Sequence, residues 1–266
     1  MAGRAYAPKP DAVYKFKERD TTGFSTKYEV KGPADVEWSA KLGPEAQTEV
    51  LLSRILWGLG YHQQPIYYLP SWTLEHDGIK STESEARFRP KLSEFERLDE
   101  YWWWQQNPFV GTRESNGLLV ILLMFNSTDL KNDNNSIYKF KEPVEGADRW
   151  FVVRDLGAAL GETGKMYPRR NCLECFEQHG FITAIDGDHV QFDYVGRHQE
   201  LLSMIRPRGR AVGRGALAEA DRHAVARRLP RRELLGERRE SLHPEAQRED
   251  RRRPRAARPS RRSATR

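Results

Sequence analysis

The feature that most limits what this chain can fold into is an abrupt change of composition after Ile205. Residues 206–266 hold 20 of the 44 basic residues, all of them arginine, and contain no aromatic residue, isoleucine, asparagine, cysteine or methionine. Such a segment has too little apolar surface to offset the entropy lost on ordering, so we expect a disordered or loosely helical tail. The chain has 266 residues, enough for one large domain or two small ones.

Three interpretations of the tail, 206–266, stay open. The first is a basic disordered arm that binds nucleic acid or an acidic membrane surface, because arginine attracts phosphate groups. The second is a solvated, partly helical extension. The third is out-of-frame translation of a GC-rich gene, which produces arginine, alanine, proline and glycine and would explain the absence of lysine. A nucleic-acid partner is therefore expected only through this tail.

Residues 1–205 carry no pattern typical of secretion or membrane insertion. Their longest apolar run, 118–125, is far shorter than the roughly 18 residues of a membrane helix. No apolar signal segment follows Met1, so the localisation is unknown and is taken as cytoplasmic by default. We expect no integral membrane segment, and we expect a monomer. Cys172 and Cys175 have no second pair and no matching histidines, which argues against a zinc site. We interpret them as incidental small residues near a helix.

Alternating apolar and polar residues predict a strand-rich first half. Strands are expected at 13–18, at two places within 27–42, at 66–74 and at 87–89, with a loop at 76–85. Gly43 and Pro44 then open a helix over 44–59, with proline at its first position and Glu45 in its first turn. This half, residues 12–100, is expected to be the β-rich lobe of a two-lobed α+β protein.

The second half, residues 101–205, is expected to be mainly helical and to contain the catalytic and metal loops. The predicted helices are 114–126, 171–179 and 197–205, and the predicted strands are 136–140, 150–153 and 189–194. A polar loop, 126–135, follows the most apolar helix directly. Loops held by a buried helix are good positions for rigid catalytic groups.

Three short patterns carry candidate chemistry. In the loop, Asp129 and Asn134 are five residues apart, and an aspartate can accept a hydroxyl proton while an asparagine carbonyl binds Mg²⁺. Trp150–Val153 leads into Asp155-Leu156-Gly157, where a strand end places a carboxylate. Lys41 ends a strand just before a helix whose Glu45 and Glu49 share one face. Each pattern has an alternative. The loop with Asp129 and Asn134 could be an ordinary Asn/Asp turn, Asp155-Leu156-Gly157 matches a pattern that is common in proteins, and Lys41 could be an exposed surface lysine.

The order of these patterns is that of a kinase: lysine strand, glutamate helix, Asp-x4-Asn loop and Asp-x-Gly after a strand. Residues 128–134 resemble the Thr-Asp-Arg-Gly-Asn-Asp-Asn catalytic loop of type II phosphatidylinositol 4-kinases. They are also similar to the loop of HipA-type kinases, more distantly to secretory-pathway kinases, and to the Asp-Leu-Lys-x-x-Asn of protein kinases. Residues 12–205 as a whole resemble a bacterial group with no assigned substrate.

The resemblance implies a protein-kinase-like fold and an ATP-dependent transferase that uses Mg²⁺ or Mn²⁺. It implies that Asp129 is the catalytic base and that Lys131 lies near the transferred phosphate. Asn134 and Asp155 would bind the metal ion, and Lys41 would contact the nucleotide phosphates. Glu45 or Glu49 would orient Lys41.

Two departures from the kinase pattern leave other functions open. No glycine-rich loop precedes Lys41, and 21–26 is the one candidate segment. Lys131 also stands where type II lipid kinases have glycine. The leading hypothesis is phosphotransfer to an unknown protein or lipid. The alternatives are a pseudokinase or nucleotide-binding module without turnover, and nucleic-acid binding through the tail.

Overall fold

The computed structural model describes residues 6–21, 25–144, 146–163, 165, 169–187, 189–195 and 199–205. All of them belong to one structural unit, Met1–Arg227; a second unit, Arg228–Arg266, and the whole predicted tail lie outside the described residues. The fold is mixed α+β, with a curled, strand-rich sheet and few helices. This confirms the α+β class.

The described residues form twelve strands and three α-helices. The twelve strands are β1 Val13–Asp20, β2 Lys27–Lys31, β3 Glu37–Leu42, β4 Tyr67–Leu69, β5 Trp72–His76, β6 Ile79–Glu83, β7 Ala86–Pro90, β8 Phe95–Arg97, β9 Asn135–Val144, β10 Ala147–Val153, β11 Ile182–Asp186 and β12 His189–Phe192. The helices are α1 Glu45–Gly58, α2 Arg113–Met124 and α3 Leu173–Glu177, with short 3-10 turns at Pro33–Asp35, Asn132–Asn134 and Gln199–Met204.

Seven strands form the main sheet in the order β4-β7-β3-β2-β1-β5-β6. Its strands pair antiparallel except for β1 and β5, which run parallel. One face buries an aromatic cluster that includes Tyr14, Trp38, Trp72 and Phe88. Aromatic side chains on a pleated surface bury large areas and favour the strand conformation. In the register of β3 and β7, Lys41 lies opposite Arg87.

Helix α1 begins after Gly43, whose φ of +103° is a conformation that favours glycine. The helix packs on β3, β4 and β7. Its Leu52 and Leu56 join a second core with Leu119 and Leu122 of α2. The side chain of Thr112 caps α2 by accepting a hydrogen bond from the backbone of Ser115. The shared core holds α1, and therefore its carboxylates, against the segment that follows α2.

Two smaller sheets complete the fold. Strands β8, β9 and β10 form one, and the β11–β12 hairpin forms the other. The expectation of a mainly helical second half is wrong for the described residues, because four strands and two α-helices lie between 101 and 205. Among the described helices, none is long and apolar enough to span a membrane.

Individual elements agree with the sequence predictions in different degrees. Helices α1 and α2 and strands β1, β3, β7, β9 and β10 are confirmed within a few residues. The predicted loop at 76–85 is wrong, because β6 pairs there with β5. The strand predicted at 66–74 is two strands, and the helix predicted at 197–205 is a 3-10 turn. The interpretation of the cysteines as incidental is also wrong, because Cys172 and Cys175 form a disulfide.

Candidate functional site

Lys41 lies at the centre of a buried ionic cluster. Its Nζ is 2.6 Å from Oε2 of Glu45, 3.2 Å from Oε2 of Glu49 and 2.6 Å from Oδ1 of Asp155. Only 3% of the lysine side chain is exposed. These four residues come from β3, α1 and the segment after β10, so the contact joins parts of the chain that are more than a hundred residues apart. Buried charges need such close partners.

Glu49 is the most completely neutralised carboxylate of this cluster. Besides Lys41, it contacts Arg87 Nε at 3.1 Å and Arg89 Nη2 at 2.7 Å through its Oε1. Burial alone would raise the pKa of Glu49, but the charges of Arg87, Lys41 and Arg89 outweigh burial and hold its pKa well below the usual range. Burial lowers the pKa of Arg87 to about 10, so this arginine stays charged at neutral pH.

Glu45 connects the cluster to two loops. Its carboxylate accepts a hydrogen bond from Ser25 Oγ at 3.3 Å and pairs with Nη1 of Arg170. Gly157 passes so close to this residue that a Cβ on the glycine would lie 2.6 Å from the Cβ of Glu45. The Gly of Asp-x-Gly is therefore required by the close approach of the chain to α1. Of the candidate glycine loop, residues 22–24 lie outside the described residues.

Asp155 follows β10 with a φ of +53°, an uncommon conformation for a residue other than glycine. Its side chain is 44% exposed, so one side contacts Lys41 and the other faces solvent. The backbone N–H of the preceding residue, Arg154, donates to the carbonyl of Asn134 at 2.9 Å. This hydrogen bond extends the β9–β10 pairing and brings Asn134 next to Asp155.

The Asp129 loop lies on the other side of that backbone hydrogen bond. Asn134 Nδ2 donates to the backbone carbonyl of Asp129 at 2.8 Å, which leaves the amide oxygen of Asn134 to accept from elsewhere. Lys131 Nζ is 3.6 Å from Asp129 Oδ2. Asp129 Oδ1 is buried and makes no hydrogen bond with any described residue. A buried acceptor without a partner is uncommon and marks a position that a ligand could satisfy.

Hydrogen bonds to backbone atoms hold this loop in place. Thr128 N donates to the carbonyl of Ala158 at 2.8 Å, and Asn126 Nδ2 donates to that of Gly161 at 2.9 Å. The hydroxyl of the buried Tyr194 donates to the carbonyl of Ser127 at 2.8 Å. Burial, aided by the nearby charge of Asp129, raises the pKa of Tyr194. The loop backbone is therefore fixed while the side chain of Asp129 stays available.

The structure places all seven predicted site residues in two adjacent groups. Lys41, Glu45, Glu49 and Asp155 form one group, and Asp129, Lys131 and Asn134 form the other. The sequence predictions missed the arginines that hold Glu49 and Glu45, and they missed Tyr194. The alternation of Arg87, Phe88 and Arg89 was a usable signal, since it places both arginines on one face of a strand.

The donor set fits a magnesium ion that is shared with a phosphate ligand. Among the described residues, no group of three or more histidine, cysteine, aspartate or glutamate side chains could hold a metal ion by itself. Mg²⁺ keeps several water molecules and is usually held by one or two protein oxygens together with substrate phosphates. Asp155 and the amide oxygen of Asn134 would supply such a pair.

No protein-family model and no curated protein matches this sequence. Among solved structures, the chain is similar to the crystal structure of a Helicobacter pylori proinflammatory kinase, CtkA, with a TM-score of 0.36 and 12% identity. The match covers 57% of this chain and 60% of that one. At this level the likeness says nothing about the activity of this chain. The resemblance to the bacterial group stays a prediction.

Proposed function

We propose that this chain is an atypical kinase-like phosphotransferase with a two-lobed kinase-like fold, and that it uses ATP and Mg²⁺ or Mn²⁺. One observation carries the proposal. A buried strand lysine, Lys41, is paired at the same time with helix carboxylates and with Asp155 at the end of β10. Such a lysine is held in one position, where it can contact phosphate oxygens, by groups that neutralise its charge.

Asn134 and Asp155 are proposed to hold the metal ion. Asp155 is partly exposed beside Lys41, and the amide nitrogen of Asn134 is already committed to Asp129, so its oxygen is the free end. A bound Mg²⁺ would neutralise phosphate charge and orient the transferred group. Ser25 Oγ, near the end of the candidate segment 21–26, donates to the Glu45 carboxylate, which supports a place for this end of the segment beside the phosphates.

Asp129 is proposed to accept the proton of the attacking hydroxyl group. Its Oδ1 has no partner among the described residues, while hydrogen bonds of the loop backbone fix its position. Lys131 lies 3.6 Å from the other oxygen and is 39% exposed, so it can approach the transferred phosphate. Preorganised groups of this kind act by positioning and by stabilising developing charge. The acceptor is proposed to be a protein or lipid hydroxyl.

The first experiment measures nucleotide binding by the full chain. We expect ATP with Mg²⁺ to raise the thermal unfolding midpoint, and Asp155→Ala to abolish the shift. The matched control is Asp148→Ala, which removes an exposed carboxylate from β10, the strand that precedes Asp155. Binding that survives Asp155→Ala would contradict the metal assignment.

The second experiment separates a transferase from a pseudokinase. Phosphoryl transfer from labelled ATP to a general acceptor protein, to lipid vesicles or to the chain itself should be measurable and should be lost in Asp129→Ala. Binding without any turnover would favour the pseudokinase alternative instead. The removal of one catalytic group of this kind lowers rates by about 10²–10⁴-fold.

A further inference from the structure

Two arginines line one small cavity behind the Lys41 cluster. The cavity lies between α1, β7 and the end of β10, and Arg89 and Arg154 are the cationic residues that border it. Its volume is about 10 Å³, room for one water-sized particle and little more. The Nε atoms of both arginines are buried and make no hydrogen bond with the residues that the structure describes.

Arg154 is the cation whose charge lacks compensation. Arg89 pairs with Glu49, but no carboxylate pairs with Arg154 anywhere in the described ranges. The positive charges of Arg89, Arg97 and Arg87 all act on it. A largely buried cation near three other arginines, with no carboxylate paired to it, is costly unless an anion accompanies it.

The charge balance of the whole cluster also favours a bound anion. Its carboxylates are Glu45, Glu49 and Asp155, and all three are already engaged by cations. Its cations are Lys41, Arg87, Arg89, Arg154 and Arg170. The cluster therefore carries two more positive charges than negative ones.

The charges and hydrogen bonds of the other polar groups at the cavity are compatible with a bound anion. Glu49 and Asp155 also border it, but their charges are shared with Arg87, Arg89 and Lys41. Gln63 is occupied, since its Nε2 donates to the carbonyl of Val153. The amide oxygen of Gln64 is buried and makes no hydrogen bond with the described residues, and rotation of the amide would present its NH₂ group as a further donor.

We propose that this cavity binds a halide-sized monovalent anion between Arg89 and Arg154. The size of the cavity favours a single small ion over a phosphate group. Such an ion would link α1 to the Asp155 segment, because Arg89 holds Glu49 and Arg154 precedes Asp155. This site is independent of the proposed phosphotransfer and exists without nucleotide.

The test uses the full chain without nucleotide. Thermal unfolding is followed in sodium gluconate that is replaced stepwise by sodium chloride at constant ionic strength. We expect a saturable rise of about 2–4 °C in the midpoint by 100 mM chloride. Arg154→Met should abolish this rise. The control Arg149→Met removes an exposed arginine from the same hairpin and should retain it.

Crystals grown in sodium bromide provide a second measurement that depends on no variant. An anomalous peak between Arg89 and Arg154 is the expected result. The proposal is overturned by equal midpoints in gluconate and chloride, by a chloride response that persists in Arg154→Met, or by bromide crystals without a peak in the cavity. If Arg154→Met does not fold, the bromide peak decides.

Discussion

The Lys41 cluster and the Asp129 loop are held in place by different means. In the Lys41 cluster, the side chains hold one another, and each of Glu45 and Glu49 contacts at least two cations. In the Asp129 loop, the backbone is held and the side chain of Asp129, the proposed proton acceptor, has few partners among the described residues. Groups that only position a ligand can be fully paired, whereas a group that exchanges a proton has to stay available.

The largest effect is expected from Glu49→Gln. This substitution keeps the shape of the side chain but leaves Lys41, Arg87 and Arg89 without the carboxylate that they share. Removal of one partner of a buried ionic group costs about 3–5 kcal/mol. Urea unfolding measures the loss, and Glu142→Gln, at an exposed position of β9, is the control. A loss below about 1 kcal/mol would show that the cluster tolerates the missing charge.

The same carboxylate predicts a pH dependence of stability. The pKa of Glu49 in the folded chain lies below its ordinary value of 4.5. Its contribution is therefore present above that ordinary value and is lost as the pH falls towards the folded-state pKa. The free energy of unfolding, measured between pH 7 and pH 3, should fall more steeply in the natural chain than in Glu49→Gln. Equal slopes would contradict the assignment.

Gly157→Ala should have the next largest effect. The added Cβ would lie 2.6 Å from the Cβ of Glu45, so α1 or the Asp155 segment has to move. Overpacking of this kind costs about 1–3 kcal/mol. It should also weaken any nucleotide binding that depends on Lys41. The control is Gly58→Ala at the end of α1, where nothing lies within 4 Å and stability should be unchanged or slightly higher.

The sequence predicted those parts of the fold that depend on local chemistry. Gly43 and Pro44 mark the start of α1, and the apolar run of α2 needs no distant partner to be recognised. Strand β6 was missed because four of its five residues are exposed, so its strand conformation comes from pairing with β5. Strand propensity is a weak signal in an exposed hairpin, because pairing with the neighbouring strand determines the conformation there.

The candidate site also divides into residues that local sequence signals predict and contacts that depend on long-range packing. The positions of Lys41, Asp129 and Asp155 could be predicted because Lys41 lies near the end of a recognisable strand and each aspartate follows a recognisable helix or strand. The pairing of Glu49 with Arg87 could not, since it depends on the register of β7 against β3 and on the packing of α1 on both. The short segment that carries Arg170 and the disulfide also has no pattern that indicates its contact with Glu45.

Tyr194→Phe should reduce stability by about 1 kcal/mol, because it removes one buried hydrogen bond to the Ser127 carbonyl. The effect should be local, since this hydroxyl holds the start of the Asp129 loop. Hydrogen exchange of the Thr128 amide, which donates to Ala158, should become faster. Tyr101→Phe, at an exposed tyrosine, is the control. Equal exchange in both variants would mean that Tyr194 does not hold the loop.

The smallest effect on stability, and the most informative one, is expected from Asp129→Asn. The change removes the charge of a carboxylate whose Oδ1 is buried and has no hydrogen-bond partner among the described residues. The lysine that loses its ion pair, Lys131, is 3.6 Å away and 39% exposed. Exposed ion pairs contribute about 0–1 kcal/mol, so the free energy of unfolding should change by less than about 1 kcal/mol. Nucleotide binding should persist while phosphoryl transfer is lost. A large loss of stability would mean that Asp129 supports the fold, as Glu49 does, and that the two regions do not differ in the way their contacts indicate.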